Sequence, residues 1–516
     1  MPLDRRHGAL ALILSSVSLL AAAAPARPTT SSQPPMAAQD FVASALTAPI
    51  ARALDAAQAT PGAFPAVSAV IVQGDAAPWI HARGRRIAGQ AGEVDADTLF
   101  YIASQTKSFM GLLGAVLDRK GVLPLDATLA DIWPGLRLPA PADPRRITMS
   151  DLLSHQEGLT TDTLNFVTAY VRDLPASEYP RWLATETTVR EPGFRYANLG
   201  DLVYGAALEA RTGRNWRDWL DAEVLQPLRL QDGVVSRPSR VAPGRIAWNH
   251  QWDGQAWRAL APKPDALMHA AGGLLASSRA MAAWMQANLG LAGAGDAFEA
   301  ADFARAQRPI AVAKLADGEI DCDGYGLGWY SCAYKGQRAL MHPGSYDGAV
   351  SVTVLVPSAH AGLALAVDSD SAMEGFELEV MKAFIGLATH QDGETARLDA
   401  AVAALPARIA GKARKRSQAI ADARADAAWG GWTWRPDAAS LQRCTGTFDD
   451  ALFGTLVVRE SSAGLVADAG AHRLVLEPAK PGLFAASDGT LAPPEPLACA
   501  AGGDAIEWRG RTFRRR

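Results

Sequence analysis

The chain has 516 residues, more than one compact core normally holds, so we expect roughly two to four domains. Hydrophobic residues make up 49% and charged residues 20% of the chain, a globular composition that excludes disordered and fibrous proteins. The 50 basic and 54 acidic residues are spread along the chain and give a net charge of −4, so we expect no nucleic-acid partner.

The N-terminus has the pattern of a secretory signal peptide. Two arginines precede an uncharged run over residues 8–24, which leads into the small-x-small motif Ala24-Pro25-Ala26. This run is at the short edge for a membrane-spanning anchor. We therefore predict a signal peptide over residues 1–26, a secreted or periplasmic mature protein, and no stable membrane span after cleavage.

The four cysteines suit that oxidising location. They permit two disulfides in any of three pairings. Local pairing has the smallest loop-entropy term, which favours Cys322 with Cys332 and Cys444 with Cys499. The spacings match no zinc template, so we predict no metal site, and no pattern indicates a cofactor.

Helical and strand patterns alternate over a predicted first domain, residues 38–390. In chain order they are a helix over 38–57, strands over 67–72 and 79–87, a helix over 104–119, helices near 150–154, 199–212 and 278–287, four strands within 326–367, and a helix over 374–389. Strands at both ends with helices between them predict one antiparallel sheet whose edge is completed by the N-terminal hairpin. The fold class is therefore α/β.

The remaining sequence divides into two further segments. Residues 391–435 are Ala-rich with mixed charge and are predicted to be an exposed helical linker. Short strand patterns between Gly, Asp and Pro turns follow over residues 436–516, which predicts a small β-barrel or meander. The clearest strand patterns lie over 455–459, 473–476, 505–508 and 512–514.

The first candidate catalytic motif opens the predicted helix at 104. Ser104 and Lys107 lie one turn apart and share a helix face. A serine hydroxyl becomes a nucleophile when a nearby base takes its proton, and burial disfavours the charged form of a lysine. Ser104 is therefore the candidate nucleophile and Lys107 its candidate base.

The second motif is Tyr196-Ala197-Asn198, directly before the helix predicted at 199. A phenol held near cations can pass a proton, and an amide can hold a substrate carbonyl and the lysine. The alternative is structural: a half-buried tyrosine followed by an asparagine that caps the helix.

The third motif is His342-Pro343-Gly344-Ser345, and His360 begins a second stretch of similar form. Successive turns of an antiparallel meander fall at opposite ends of the strands, so only one of them can face Ser104. His342 leads into a Gly-containing stretch where the backbone can approach a ligand closely, so we choose it.

With these three motifs in this order, the sequence resembles the serine β-lactamase and penicillin-binding family, in the class C-like branch with D-aminopeptidases, carboxypeptidases and family VIII esterases. The resemblance spans about residues 64–387 and includes Ile147–Leu159 and Ala270–Met281. It implies an antiparallel sheet flanked by helices, with an all-α subdomain. The segment from 436 resembles the lipocalin-like barrels that some members carry.

The resemblance also implies roles for single residues. Ser104 would be acylated, while Lys107 and Tyr196 would transfer protons. The substrate-binding residues would be Asn198, His342, Gly344 and Ser345, with the backbone N–H groups of Ser104 and Ser345 forming the oxyanion hole. His155 would be a structural hydrogen-bonding residue.

The resemblance leaves three functions open. The first is a hydrolase of small amides or esters, including peptidoglycan-derived peptides, that forms an acyl-enzyme. The second is a class C-like β-lactamase or penicillin-binding carboxypeptidase. Many β-lactamases have Lys at the position of His342, and His carries that charge only when protonated, which argues against efficient β-lactam turnover. The third is a non-catalytic receptor for cell-wall fragments. The sequence does not indicate the oligomeric state.

Overall fold

A computed structural model of the protein describes residues 42–291, 298–317, 319–462 and 464–516. The predicted signal peptide and the first residues of the helix predicted over 38–57 lie outside these ranges. Among the described residues, no helix combines the length and the apolar character needed to cross a membrane.

The helices alternate with strands as the sequence pattern predicts. They are α1 Ser44–Ala59, α2 Thr106–Arg119, α3 Leu129–Ile132, α4 Met149–Leu153, α5 Asp162–Phe166, α6 Tyr179–Glu186, α7 Leu199–Thr212, α8 Trp216–Leu220, α9 Ser278–Asn288, α10 Ala300–Gln307, α11 Met373–Ala388, α12 Glu394–Ala425 and α13 Ala438–Cys444.

The strands form one large sheet, three small ones and a barrel. They are β1 Ala66–Gln73, β2 Trp79–Gly84, β3 Phe100–Tyr101, β4 Leu159–Thr160, β5 Thr188–Val189, β6 Val234–Val235, β7 Asn249–Trp252, β8 Trp257–Leu260, β9 Leu275–Ala276, β10 Leu315–Asp317, β11 Ile320–Tyr325, β12 Tyr330–Tyr334, β13 Gln337–Tyr346, β14 Ala349–Val356, β15 Ala361–Val367, β16 Gly446–Asp450, β17 Gly454–Ser461, β18 Gly464–Ala469, β19 His472–Lys480, β20 Leu483–Ser487, β21 Glu495–Cys499, β22 Ala505–Trp508 and β23 Arg511–Arg515.

The large sheet has eight antiparallel strands in the order β10-β11-β12-β13-β14-β15-β1-β2. The N-terminal hairpin therefore joins the late strands through β1 and β15, which confirms the predicted closure of the sheet. The sequence did not predict β10 and β11 at the opposite edge. The α/β fold class is confirmed.

Both faces of the sheet are covered, because alternate residues of a strand point to opposite faces. On β1, Val70 and Val72 pack with the core of α2 and α9, while Ala69 and Ile71 pack with the core of α1 and α11. This explains why β1 and β15 are apolar without alternation: nearly every residue in them is buried.

The segment predicted as an exposed linker is partly a core helix. Leu398, Ala401, Leu405 and Ile409 form a buried stripe on α12 that packs in the core of α1 and α11. The spacing of these residues places them on one helix face. The frequent alanines and charges of this segment concealed the stripe, so the prediction of simple exposure is wrong along this face.

Strands β16 to β23 close into a barrel, as predicted for the C-terminal segment. The barrel is attached to α6 and to the segment that follows α5 by several polar contacts. The Val171 carbonyl accepts from Ala471 N at 2.9 Å, the Leu452 carbonyl accepts from Arg172 Nε at 2.7 Å, and Arg511 pairs with Glu186 at 3.0 Å. These contacts hold one side of the barrel against α6 and that segment.

The two disulfides have the pairing that loop entropy favours. Cys322 and Cys332 are directly opposite on the neighbouring strands β11 and β12. Cys444, at the end of α13, joins Cys499 on β21 and fastens α13 to the barrel. Both predicted pairs are confirmed.

Candidate active site

Ser104 lies in a tight turn between β3 and α2. A single 3-10 turn over Ala103–Gln105 leads into the helix, and Ala103 has a φ of 47°, in the left-handed region that non-glycine residues rarely occupy. Such backbone strain is maintained only where the surrounding structure compensates for it, and it is concentrated at functional sites.

Lys107 is buried beside Ser104, with 1% of the residue exposed. Its Nζ lies 3.2 Å from Ser104 Oγ, 2.9 Å from Asn198 Oδ1 and 2.7 Å from the Ala271 carbonyl oxygen. Two of these three partners can only accept a hydrogen bond. A neutral amine has two hydrogens for them and keeps its lone pair for the Ser104 hydroxyl, which is the arrangement a general base needs.

The charge state of Lys107 favours that role. Burial lowers the pKa of Lys107 to about 8, against an opposing effect of the Asp201 carboxylate. Asp201 is itself 1% exposed, and burial raises its pKa. At neutral pH an appreciable fraction of Lys107 is therefore uncharged, although an ordinary lysine would be almost fully protonated.

Tyr196 reaches the same point from the loop before α7. The residue is 37% exposed, and the centroid of its ring lies 4.9 Å from Lys107 Nζ. Burial raises the pKa of the Tyr196 phenol, and the hydrogen bond to Ser104 offsets only part of that rise. The phenol therefore keeps its proton, so Tyr196 fits the role of proton donor better than that of resting base.

Asn198 occupies the N-cap position of α7, but its side chain makes no capping hydrogen bond. Its amide oxygen instead accepts from Lys107 at 2.9 Å. The geometry therefore argues against the helix-capping alternative and places the Asn198 side chain in the Lys107 cluster. Asn198 and Ser104 also line one pocket, of about 360 Å³.

Gly344 and Ser345 lie on β13 beside the Ser104 turn. A Cβ added at Gly344 would stand 2.2 Å from the carbonyl oxygen of Ile102, so only glycine permits this approach. Ser351 on β14 fastens the strand pair to the same carbonyl by donating from Oγ at 2.9 Å. Ser345 lines the pocket with Ser104, as an oxyanion-hole residue must.

His342 lies on β13. The residue is fully buried, and burial together with the charge of Lys107 lowers its pKa to about 3. Its Nδ1 donates to the Pro343 carbonyl at 2.7 Å, because a carbonyl can only accept, and its Nε2 lies 3.1 Å from Tyr325 Oη. Both ring nitrogens therefore have partners within the protein, and the substrate contact of His342 stays a prediction.

His342 is one end of a chain of hydrogen bonds whose directions the geometry determines. Its Nε2 must accept, so the Tyr325 hydroxyl donates to it. His155 Nε2 then donates to Tyr325 Oη at 3.2 Å, which leaves Nδ1 to accept from Ala197 N at 3.5 Å. The chain links the Tyr196 loop to β13, which supports the structural role predicted for His155.

Sequence reasoning missed several residues of this region. Tyr325 is fully buried and connects the two histidines, yet it stands outside the three motifs. Asp201 follows Asn198 by three residues, and its Oδ2 has no hydrogen-bond partner among the described residues. Glu157 pairs with Arg190 at 3.3 Å, and burial raises its pKa to about 7. The only sequence signal of Asp201 and Glu157 is their acidic character within apolar stretches.

The described part of the chain contains no group of three or more His, Cys, Asp or Glu residues that could hold a metal ion.

Comparison with known proteins identifies the family of the chain. The family model described as Beta-lactamase matches residues 48–388, more than half of the chain. Penicillin-binding protein 4 of Amycolatopsis lactamdurans is 26% identical over 323 residues, which are 60% of this chain and 82% of that protein. Esterase EstB of Burkholderia gladioli is 35% identical over 163 residues, 28% of this chain and 41% of that protein.

Among solved structures, the crystal structure of SurE has a TM-score of 0.54 and 21% identity, and the match covers 92% of this chain and 99% of that one. At this identity the likeness shows the fold alone. The family model, in contrast, spans the Ser104, Tyr196 and His342 motifs in one continuous match. The chain therefore belongs to the Beta-lactamase family.

Proposed function

We propose that the protein is a serine hydrolase that forms an acyl-enzyme on Ser104 and hydrolyses small amides or esters. The observation that carries the proposal is the position of Lys107 Nζ, 3.2 Å from Ser104 Oγ with both of its other partners being acceptors. A receptor that only binds has no need of a buried amine held in this arrangement.

The reaction begins with transfer of the Ser104 hydroxyl proton to neutral Lys107 while Oγ attacks the substrate carbonyl carbon. The carbonyl oxygen becomes an oxyanion, and the backbone N–H groups of Ser104 and Ser345 would stabilise it. Tyr196 gives its phenolic proton to the departing alcohol or amine and regains one from the Lys107 ammonium. Water then attacks the ester on Ser104 in the reverse sense and releases the acid.

The proposal is tested with a 4-nitrophenyl ester under single-turnover and burst conditions. We expect a burst of 4-nitrophenol equal to the enzyme concentration and a mass increase on Ser104 that matches the acyl group. Ser104→Ala should abolish both, while Ser108→Ala on the same helix should keep them. Turnover by Ser104→Ala at the wild-type rate would refute the mechanism.

The first alternative, a β-lactamase or penicillin-binding carboxypeptidase, is less well supported, because many β-lactamases have Lys at the position of His342, and burial lowers the pKa of this histidine. Fast nitrocefin hydrolysis would support it despite that. The non-catalytic receptor predicts tight binding of cell-wall fragments without labelling by a fluorescent phosphonate or penicillin.

We also propose that the protein is exported. Both disulfides are formed, which suits a secreted or periplasmic protein. The intact mass of the protein recovered from the periplasm or the medium tests this. A mass matching cleavage near Ala26 is expected, and accumulation of the uncleaved chain in the cytosol would contradict it.

A further inference from the structure

A second cavity adjoins the pocket of Ser104. It has a volume of about 370 Å³ and shares Tyr101, Tyr170 and Tyr346 with the smaller pocket, so the two are neighbours separated by a wall of tyrosines. Its far side is formed by the barrel, through residues 471–473 and 488–490. The catalytic domain and the barrel therefore build this cavity together.

The barrel is held on this side by contacts next to the cavity. Gln251 Oε1 accepts from Leu491 N at 2.6 Å, and the Gly489 carbonyl accepts from Arg258 Nη1 at 2.7 Å. Gln251 lies on β7 and Arg258 on β8, and both strands also line the cavity. The wall contributed by the barrel is thus fixed in place by hydrogen bonds to the catalytic domain.

Lys263 is the unusual residue of this cavity. It is 8% exposed and forms no ion pair among the described residues, whereas the buried Lys382 pairs with Glu379. Its ammonium has three hydrogens, but its one hydrogen bond within the described chain is a long one to Tyr101 Oη, at 3.4 Å. Its Nζ also stands 3.8 Å from the centroid of the Tyr346 ring.

An ammonium in this setting reduces stability when it has no ligand. Taking a charge out of water carries a large free-energy penalty unless a counter-charge is provided. Burial accordingly lowers the pKa of Lys263 to about 7, with Asp347 opposing that shift. Asp347 does not neutralise the lysine by contact: its Oδ1 accepts from Tyr170 Oη at 3.4 Å, and the Tyr346 ring lies against the amine.

We propose that Lys263 binds a carboxylate of the substrate, and that the cavity shared with the barrel is the subsite for this anionic end. Tyr346 directly follows Ser345, so the amine lies next to the strand end that borders the Ser104 pocket. The carboxylate would take the two N–H groups of Lys263 that have no partner among the described residues. This inference rests on the proposed function, because it names the substrates of that site.

The subsite also supplies a cation for an anionic substrate, which the neutral His342 ring does not. A buried, uncharged ring cannot attract an anionic substrate, but a lysine one cavity away can. Binding of a carboxylate gives Lys263 the counter-charge it otherwise lacks, so the free energy lost on burial of the ammonium is recovered when substrate is present.

The test compares esters that differ only in one charge. On the acyl side the pair is mono-4-nitrophenyl suberate and 4-nitrophenyl octanoate, and on the leaving-group side it is 3-acetoxybenzoate and 3-acetoxybenzamide. In at least one pair, wild type should prefer the carboxylate in kcat/KM by about tenfold to a hundredfold, the range for a charged hydrogen bond. Lys263→Met should remove this preference mainly through KM, and Lys263→Arg should retain part of it.

Controls separate this proposal from its alternatives. Lys263→Met should leave the melting temperature unchanged or raised, whereas Lys382→Met should lower it because it breaks an ion pair. An undiminished preference in Lys263→Met, or no preference in wild type in either pair, would overturn the subsite. Loss of Ser104-dependent turnover on the neutral ester would instead refute the proposed function itself.

Discussion

Replacement of Tyr325 by phenylalanine tests the hydrogen-bond chain that connects the two sides of the site. The substitution keeps the ring in its buried position and removes only the hydroxyl, which joins His155 to His342 at 3.2 and 3.1 Å. After it, the acceptor His342 Nε2 and the donor His155 Nε2–H are both buried without a partner. Each histidine is fully buried, so water cannot replace the lost bond without rearrangement.

The magnitude follows from the number of groups left unsatisfied. A buried donor or acceptor without a partner costs about 1–3 kcal/mol, and two such groups give a loss of about 2–6 kcal/mol in the free energy of unfolding. Tyr330→Phe is the matched control. Tyr330 packs against Tyr325 with ring centroids 4.7 Å apart and is 6% exposed, but its hydroxyl forms no hydrogen bond among the described residues.

Equilibrium unfolding in urea measures both variants, with the intact disulfides kept oxidised. We expect Tyr325→Phe to lose several times more stability than Tyr330→Phe. We also expect a lower kcat. The hydrogen-bond chain positions Ala197, which is next to Tyr196, and Pro343, which is close to Ser345. Equal stabilities for the two variants would refute the hydrogen-bond directions assigned above.

Three further predictions follow from the site and its supports. The kcat/KM for a neutral ester should fall as pH drops below about 8, since protonation removes the lone pair of Lys107, and Lys107→Met should remove this limb of the pH–rate profile. Gly344→Ala should reduce kcat at least about tenfold, because the new Cβ would meet a backbone carbonyl at 2.2 Å. The control is Gly411→Ala, in α12 and away from the site, which should leave kcat unchanged. Equal effects of the two substitutions would contradict the close approach at Gly344. Replacing Cys444 and Cys499 by serine opens a loop of 55 residues and should lower the free energy of unfolding by about 4 kcal/mol, and denaturation of wild type and the double variant, both with Cys322–Cys332 kept oxidised, checks this.

Much of the fold could be predicted because it depends on short-range patterns. The helix over 199–212 follows directly from apolar spacing, as does the β22 strand over 505–508. The pairing of β1 with β15 could be inferred from strand placement alone, and both disulfides from their short loops. The buried stripe of α12 was missed, since alanine and charged residues are equally common on exposed helices.

The candidate site could likewise be predicted only in part from the sequence. Residue chemistry and spacing along one helix or loop identified Ser104 with Lys107 and Tyr196 with Asn198, because each pair is local in sequence. The state of each group depended on neighbours that are distant in sequence. Burial and the charge of Lys107 lower the pKa of His342, and Tyr325 bonds to its Nε2, whereas its position in the motif had indicated a substrate contact.

The charge of a side chain is set by all the atoms around it, and those come together only in the folded chain. The sequence alone determined the order of elements, the reactive groups and the cysteine pairing. The tertiary structure decided that Lys107 is buried beside Ser104, that the His342 ring is enclosed, and that Lys263, with no motif around it, lies in a cavity between the first domain and the barrel. Dielectric environment and hydrogen-bond direction are properties of packing, and no local pattern records them.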